Sequence, residues 1–213
     1  MVDTVAVGEP VDVQHNGKTV QTAIFKAPVE GPVQLRFHNL DGDRQADLTV
    51  HGGRDKAVYA YAREHYPGWA EALGRKRLKP AAFGENLTVC GMLENEVFIG
   101  NRYRVGTASV IVSQPRLPCF KLGILMADAS FPQRFLQSGK LGFYLRVETE
   151  GLVEAGDRID LLESHPERIS IESLWRAVFG TEKDAETAAR ALETLPWLDG
   201  GWRRRLRNVV GRH

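Results

Sequence analysis

Cysteine is scarce in this chain. Only Cys90 and Cys119 are present. Two cannot build a disulfide framework, so two free thiols in a reducing, cytoplasmic setting are expected. A charge excess is also missing: 28 Lys and Arg stand against 27 Asp and Glu, a formal net charge of +1. That balance removes the global field that nucleic acid or an anionic membrane would exploit, and neither is an expected partner. No apolar stretch approaches the roughly 20 residues needed to span a bilayer. The opening Met1-Val2-Asp3-Thr4 lacks the charged-then-apolar pattern of a signal peptide. Internal repeats and low-complexity segments are absent. What is present is a chain of 213 residues, 43% hydrophobic and 26% charged. It suits a sizeable core in one large or two unequal domains.

The pattern is mostly β with short helices, an α+β class. Residues 1–40 alternate as short strands, and Asn16-Gly17 predicts a type I′ hairpin because both central positions need φ > 0. Asp55 reads as the cap of a helix from Lys56 to about Tyr66. Residues 83–112 return to strand spacing with turns at Gly100 and Gly106, a rhythm expected of a barrel. Two short helices are expected within 119–139, the second after a Ser130 cap and Pro132. Beyond His165-Pro166 the pattern becomes helical: Ile171–Phe179, Glu182–Leu195 and Gly200–Val210, preceded by Ser170, Thr181 and Asp199. The division expected is a β-rich domain over 1–165 and a three-helix domain over 166–213. Five arginines crowd the chain's end: Arg203, Arg204, Arg205, Arg207 and Arg212. Solvated helix faces account for them, or a nucleic-acid or partner surface.

Chemistry concentrates at Ser113-Gln114-Pro115-Arg116-Leu117-Pro118-Cys119-Phe120-Lys121. An apolar run, Thr107 to Val112, reads as a buried strand, and two prolines then stop it and stiffen the turn. Cys119 would start a short helix between Arg116 and Lys121, surroundings that favour a thiolate. A free cysteine is otherwise a small buried hydrophobe, and Cys90, with no basic neighbour nearby in sequence, fits that description. His51-Gly52-Gly53 is either a plain glycine turn or a seat for an anion such as phosphate. Glu85-Asn86 after Gly84 is either a capped turn or a donor–acceptor pair for a heterocycle.

Taken together, five segments resemble the MOSC family, named after the C-terminal part of molybdenum cofactor sulfurase, in its bacterial YiiM-like branch. They are His51-Gly52-Gly53…Asp55-Lys56-Ala57-Val58, Phe83-Gly84-Glu85-Asn86-Leu87, Gly100…Gly106, Ser113-Gln114-Pro115-Arg116…Pro118-Cys119…Lys121, and Gly151…Ala155-Gly156-Asp157. The resemblance covers almost the whole chain, the three C-terminal helices included. Phe120 stands where the branch often has tryptophan. The resemblance implies a β-barrel core that binds the molybdenum cofactor, a pyranopterin whose dithiolene holds the metal, with Cys119 as the protein's metal ligand. It implies reduction of N-hydroxylated substrates (hydroxylaminopurines, amidoximes, hydroxamic acids) with electrons from a separate donor protein. Lys56, Arg116 and Lys121 would then neutralise the cofactor's phosphate or the charge at the metal. His51, Gly52 and Gly53 would seat the phosphate, Glu85 and Asn86 would bond the pterin, and His51 or His65 would pass a proton. The alternative is a sulfur or cofactor carrier that uses Cys119 without turnover. A homodimer is compatible with either.

Overall fold

The computed structural model describes residues 1–44 and 52–211. Its strands are β1 (Val2–Val7), β2 (Val11–His15), β3 (Lys18–Thr22), β4 (Ala27–Pro28), β5 (Val33–Leu35), β6 (Val58–Ala62), β7 (Leu87–Val89), β8 (Arg102–Val105), β9 (Ala108–Pro115), β10 (Phe143–Thr149), β11 (Gly151–Val153) and β12 (Ile159–Glu163). Its helices are α1 (Tyr66–Ala72), α2 (Phe120–Met126), α3 (Phe131–Gln137), α4 (Ile171–Phe179), α5 (Ala185–Thr194) and α6 (Gly200–Val210).

Eight strands form one mixed sheet in the order β12-β8-β9-β10-β6-β7-β1-β4, and β11-β5 and β2-β3 form two small ribbons. Only the β6–β7 pairing in the large sheet is parallel. The α+β expectation holds. A closed barrel is not found among the described residues: the ladder runs open from β12 to β4. Two backbone bonds nevertheless tie β1 to the turn before β12. The Val2 N–H donates to the Asp157 carbonyl and the Gly156 N–H to the Val2 carbonyl, both at 2.9 Å. The Asn16-Gly17 hairpin forms as expected, with φ of 51° and 73°.

The helix expected from Lys56 to about Tyr66 is absent. A single 3-10 turn (Arg54–Lys56) leads into β6, all five of whose residues are buried. Val58 and Ala60 face one apolar cluster, Tyr59 and Tyr61 the other. A strand buried on both faces carries no polar alternation, so its sequence matches a helix equally well. Pro67 sits in the first turn of the helix that follows, α1.

The three C-terminal helices occur where expected, but α5 is capped by Asp184, whose side chain accepts the Thr187 N–H, rather than by Thr181. They share one core with the sheet: Leu174, Ala191, Trp202 and Leu206 belong to the same buried cluster as Val110, Val112 and Phe143. Backbone bonds reinforce the join, from Ile99 N–H to the Ile169 carbonyl and from Ile171 N–H to the Val97 carbonyl, both 2.9 Å. Part of the arginine-rich end is structural. The Arg203 guanidinium donates to the carbonyls of Leu192, Leu195 and Leu198 at 3.1–3.3 Å, covering the end of α5. Among the described residues, no helix is long and apolar enough to cross a membrane.

Candidate functional site

Strand β9 ends at Pro115, and the chain then turns through Arg116-Leu117-Pro118 into α2. Cys119 is the residue before that helix, in extended conformation (φ −122°, ψ 174°), and is half-buried. It opens onto a cleft with about 730 Å³ of space, mouth included. Gly52, Lys56, Asn86, Arg116, Cys119 and Lys121, all expected site residues, line this cleft together. The remaining walls come from Thr22–Ile24 and Lys26 beyond the hairpin, from Asp43 and Arg44, from Tyr59 on β6 and from Tyr144 on β10. Register explains the last two: Tyr144 lies opposite both Tyr59 and Gln114, so the tyrosines stand beside the Arg116 turn.

Arg116 is the cleft's anchor. It is 5% exposed, and its guanidinium lies over the Tyr59 ring at 4.7 Å and the Phe135 ring at 5.5 Å. Burial works against its charge, but Tyr59, Tyr144 and Cys119 outweigh that and raise its pKa. Among the described residues no carboxylate pairs with it, and its Nη1 is buried without a hydrogen-bond partner. A buried guanidinium with an unused donor is fitted to an anionic group. Burial pushes the Tyr144 phenol upward against the pull of Arg116 and Lys56, so this hydroxyl stays protonated at neutral pH.

Two further lysines of the cleft are paired with carboxylates. Lys26 forms a buried ion pair with Asp43, and burial lowers the Lys26 pKa despite that partner. Asp43 also accepts from the Gly8 N–H at 2.8 Å and from Asn86 Nδ2 at 3.0 Å. Lys56 Nζ meets Asp199 Oδ2 at 2.6 Å.

The pair Glu85-Asn86 departs from expectation. Glu85 is fully buried and does not line the cleft. Its carboxylate accepts the Tyr66 hydroxyl, the Phe83 N–H at 2.9 Å and the Thr88 hydroxyl at 3.1 Å. Asn86 borders the cleft, but its amide is committed: Oδ1 accepts the Tyr59 N–H at 3.2 Å, and Nδ2 donates to Asp43 and Ala6. Asn86 thus serves as wall, and Glu85 as a buried hydrogen-bond acceptor outside the cleft lining. Gly84 completes that wall. At φ +78°, a Cβ there would lie 2.7 Å from the Ile24 side chain, so only glycine lets the Ile24 segment close in.

His51 lies outside the described residues. Gly53 precedes the 3-10 turn at φ 87° and does not line the cleft, whereas Gly52 does. The helix N-terminus expected after His51-Gly52-Gly53 is replaced by that one turn. His65 is not a cleft residue: its Nε2 pairs with Glu94 at 2.6 Å and its ring packs on Tyr61. Sequence reading missed Lys26, Asp43, Tyr59 and Tyr144. Only Asp43 carried a signal, as part of the polar stretch His38–Asp43. Among the described residues no three His, Cys, Asp or Glu side chains gather as a metal site.

Comparison with known proteins agrees with this geometry. The MOSC domain model matches residues 47–160. The chain is 42% identical to the Bacillus subtilis uncharacterized protein YflK, over 92% of this chain and 88% of that one. It is 38% identical to Escherichia coli protein YiiM, over 72% and 71%. A protein of Gibberella moniliformis named reductase is 34% identical over 86% of this chain, which spans a third of its length. Among solved structures, YiiM from Geobacillus stearothermophilus superposes with a TM-score of 0.80 at 32% identity, covering 98% of each chain. YiiM from Escherichia coli gives a TM-score of 0.73 at 28% identity, covering 87% and 88%. A fold shared from end to end, with the family model seated over the strands that build the cleft, places this chain in the MOSC domain family.

Proposed function

We propose that the protein is a molybdenum-cofactor-dependent reductase of N-hydroxylated compounds, with Cys119 as the metal's protein ligand. The observation that carries this reading is the cleft itself, where a thiol, a buried guanidinium with an unused donor and two further cations, Lys56 and Lys121, face one space. These groups fit the cofactor. A thiolate is a soft ligand suited to molybdenum, and the guanidinium and ammonium groups suit a phosphate. The family membership and the relative named reductase support the same direction.

When bound, the cofactor supplies the two-electron chemistry: R–NHOH, two electrons and two protons give R–NH₂ and water, the electrons coming from a separate donor protein. The chain's own residues do the rest. Cys119 Sγ would complete the metal's ligation. Arg116, fixed between two rings, would hold the anionic end of the cofactor, and Lys56 and Lys121 would add charge at the walls. Tyr59 and Tyr144 form part of the cleft wall. Tyr59 is anchored there by its hydroxyl bond to the Leu141 carbonyl at 2.8 Å. Of the two histidines expected to pass a proton, His65 pairs with Glu94 and does not line the cleft, and in this reading His51 would take that role.

The test is reduction of a hydroxylaminopurine and of an amidoxime by protein from a host that makes the cofactor, with a chemical electron donor. Turnover of either supports the reading. Cofactor bound at full occupancy without turnover of either would replace it with the carrier role.

A further inference from the structure

An ion pair joins the C-terminal helical unit to the cleft wall. Lys56, on the cleft wall, meets Asp199 at the head of α6 at 2.6 Å. Asp199 is held in place from two other directions. Its Oδ1 accepts the Trp202 N–H at 2.8 Å as the cap of α6, and its own N–H donates to Gln114 Oε1 at 2.8 Å. Trp202, fully buried, donates its indole N–H to the Pro115 carbonyl at 2.9 Å. The carboxylate is therefore positioned by the strand end that also carries Arg116. The Lys56 and Asp199 side chains are 18% and 28% exposed, so the pair stands at the edge of the cleft rather than inside the core.

We propose that Asp199 is a built-in counter-ion that limits how much negative charge the cleft accepts, and that supplying it is a function of the helical unit. The residue lies outside the 47–160 span matched by the MOSC model, so this control is added to the family's core by the segment that follows it. The inference deepens the anion-binding part of the function proposed above. An anion drawn to Lys56 meets the Asp199 carboxylate on the same ammonium group, and like charges a few ångströms apart repel even at the high effective dielectric of a cleft edge. The repulsion grows with the ligand's charge, so Asp199 discriminates against multiply charged anions. By reciprocity, an anion held at Lys56 weakens the tie between α6 and the cleft.

The experiment is calorimetric titration of pyrophosphate, and of singly charged acetate as control, into the apoprotein. The variants are Asp199→Asn, Lys56→Met and the double variant. Asparagine caps a helix as well as aspartate and keeps the backbone bond to Gln114, so the fold is retained. The expected result is tighter pyrophosphate binding by Asp199→Asn, about three- to tenfold at low salt. That gain shrinks as salt rises, is smaller for acetate, and disappears when Lys56 is already Met. Unchanged or weaker binding by Asp199→Asn, or the same gain in the Lys56→Met background, overturns the inference and leaves the proposed function standing. No pyrophosphate binding by either the parent or Asp199→Asn overturns both the inference and the anion-binding part of that function.

Discussion

The two cysteines are the same side chain in opposite fields. Cys90 follows β7, and its backbone is locked to the chain's start: its N–H donates to the Met1 carbonyl at 2.9 Å and its carbonyl accepts from the Met1 amino group at 2.8 Å. Burial, Glu64 and Asp3 push its thiol pKa up, outweighing the Met1 amino group and Arg63. Cys119 instead opens onto a cleft walled by Arg116, Lys56 and Lys121. The lesson is that a cysteine's chemistry is set by what surrounds the sulfur, and that sequence neighbours reveal those surroundings only where the chain is locally stiff. Around Cys119, Pro115 and Pro118 make it so. Around Cys90, the decisive acids come from Asp3 and Glu64, far away in sequence.

The most forceful way to break the comparison is to remove each sulfur in turn. Cys119→Ser should reduce turnover of N-hydroxylated substrate to the apoprotein background, while Cys90→Ser should keep it within about twofold, since exposed or half-buried sites away from the chemistry tolerate small changes. Steady-state assays with a chemical donor check this. The second contrast is in how the charges around each sulfur are held. Asp43 is buried with Lys26, and Asp43→Ala, which strands that cation, should cost about 3–5 kcal/mol. The exposed Glu64 caps the Gly91 N–H at 2.6 Å, and Glu64→Gln should cost no more than about 1 kcal/mol. Urea unfolding of the apoprotein measures both.

Reactivity sharpens the comparison further. At neutral pH a small alkylating reagent should modify Cys119 severalfold faster than Cys90, whose thiol is held protonated by burial and by Glu64 and Asp3. Charge reversal should draw the two together: Lys121→Glu slows Cys119, and Glu64→Lys speeds Cys90, each by about threefold or more. Mass spectrometry of timed samples separates the two sites. The smallest effect is in the pH profile of Cys90. Because its pKa is raised in the folded protein, the thiolate fraction at pH 7 is below that of an ordinary cysteine. Its alkylation should rise about tenfold per pH unit further into the alkaline range than in the unfolded chain. A profile that coincides with the denatured control would contradict this.

Much of the molecule was legible where one residue type has one structural use. Asn16-Gly17 specified a hairpin, Pro132 and the caps Ser170 and Asp199 marked helix starts, and the proline-flanked Cys119 marked the cleft. The reading failed where burial hides periodicity. The run Val58–Ala62 is packed on both sides, so nothing distinguished a strand from a helix until its partners β7 and β10 were in place. It failed again where a polar side chain had several possible partners. Glu85 and Asn86 looked available to a ligand, yet Tyr66, Thr88, Asp43 and the backbones of Phe83 and Tyr59 consume them. Tyr59, Tyr144, Lys26 and Asp43 came to the cleft from four separate strands and loops, a convergence only the tertiary structure creates.

The most direct test of the central claim is the metal and pterin content of protein purified from a host that makes the molybdenum cofactor, measured for the parent, Cys90→Ser and Cys119→Ser. One molybdenum and one pterin per chain in the parent and in Cys90→Ser, with the metal lost from Cys119→Ser, is the predicted result. Equal metal in all three, or none in the parent, would contradict it.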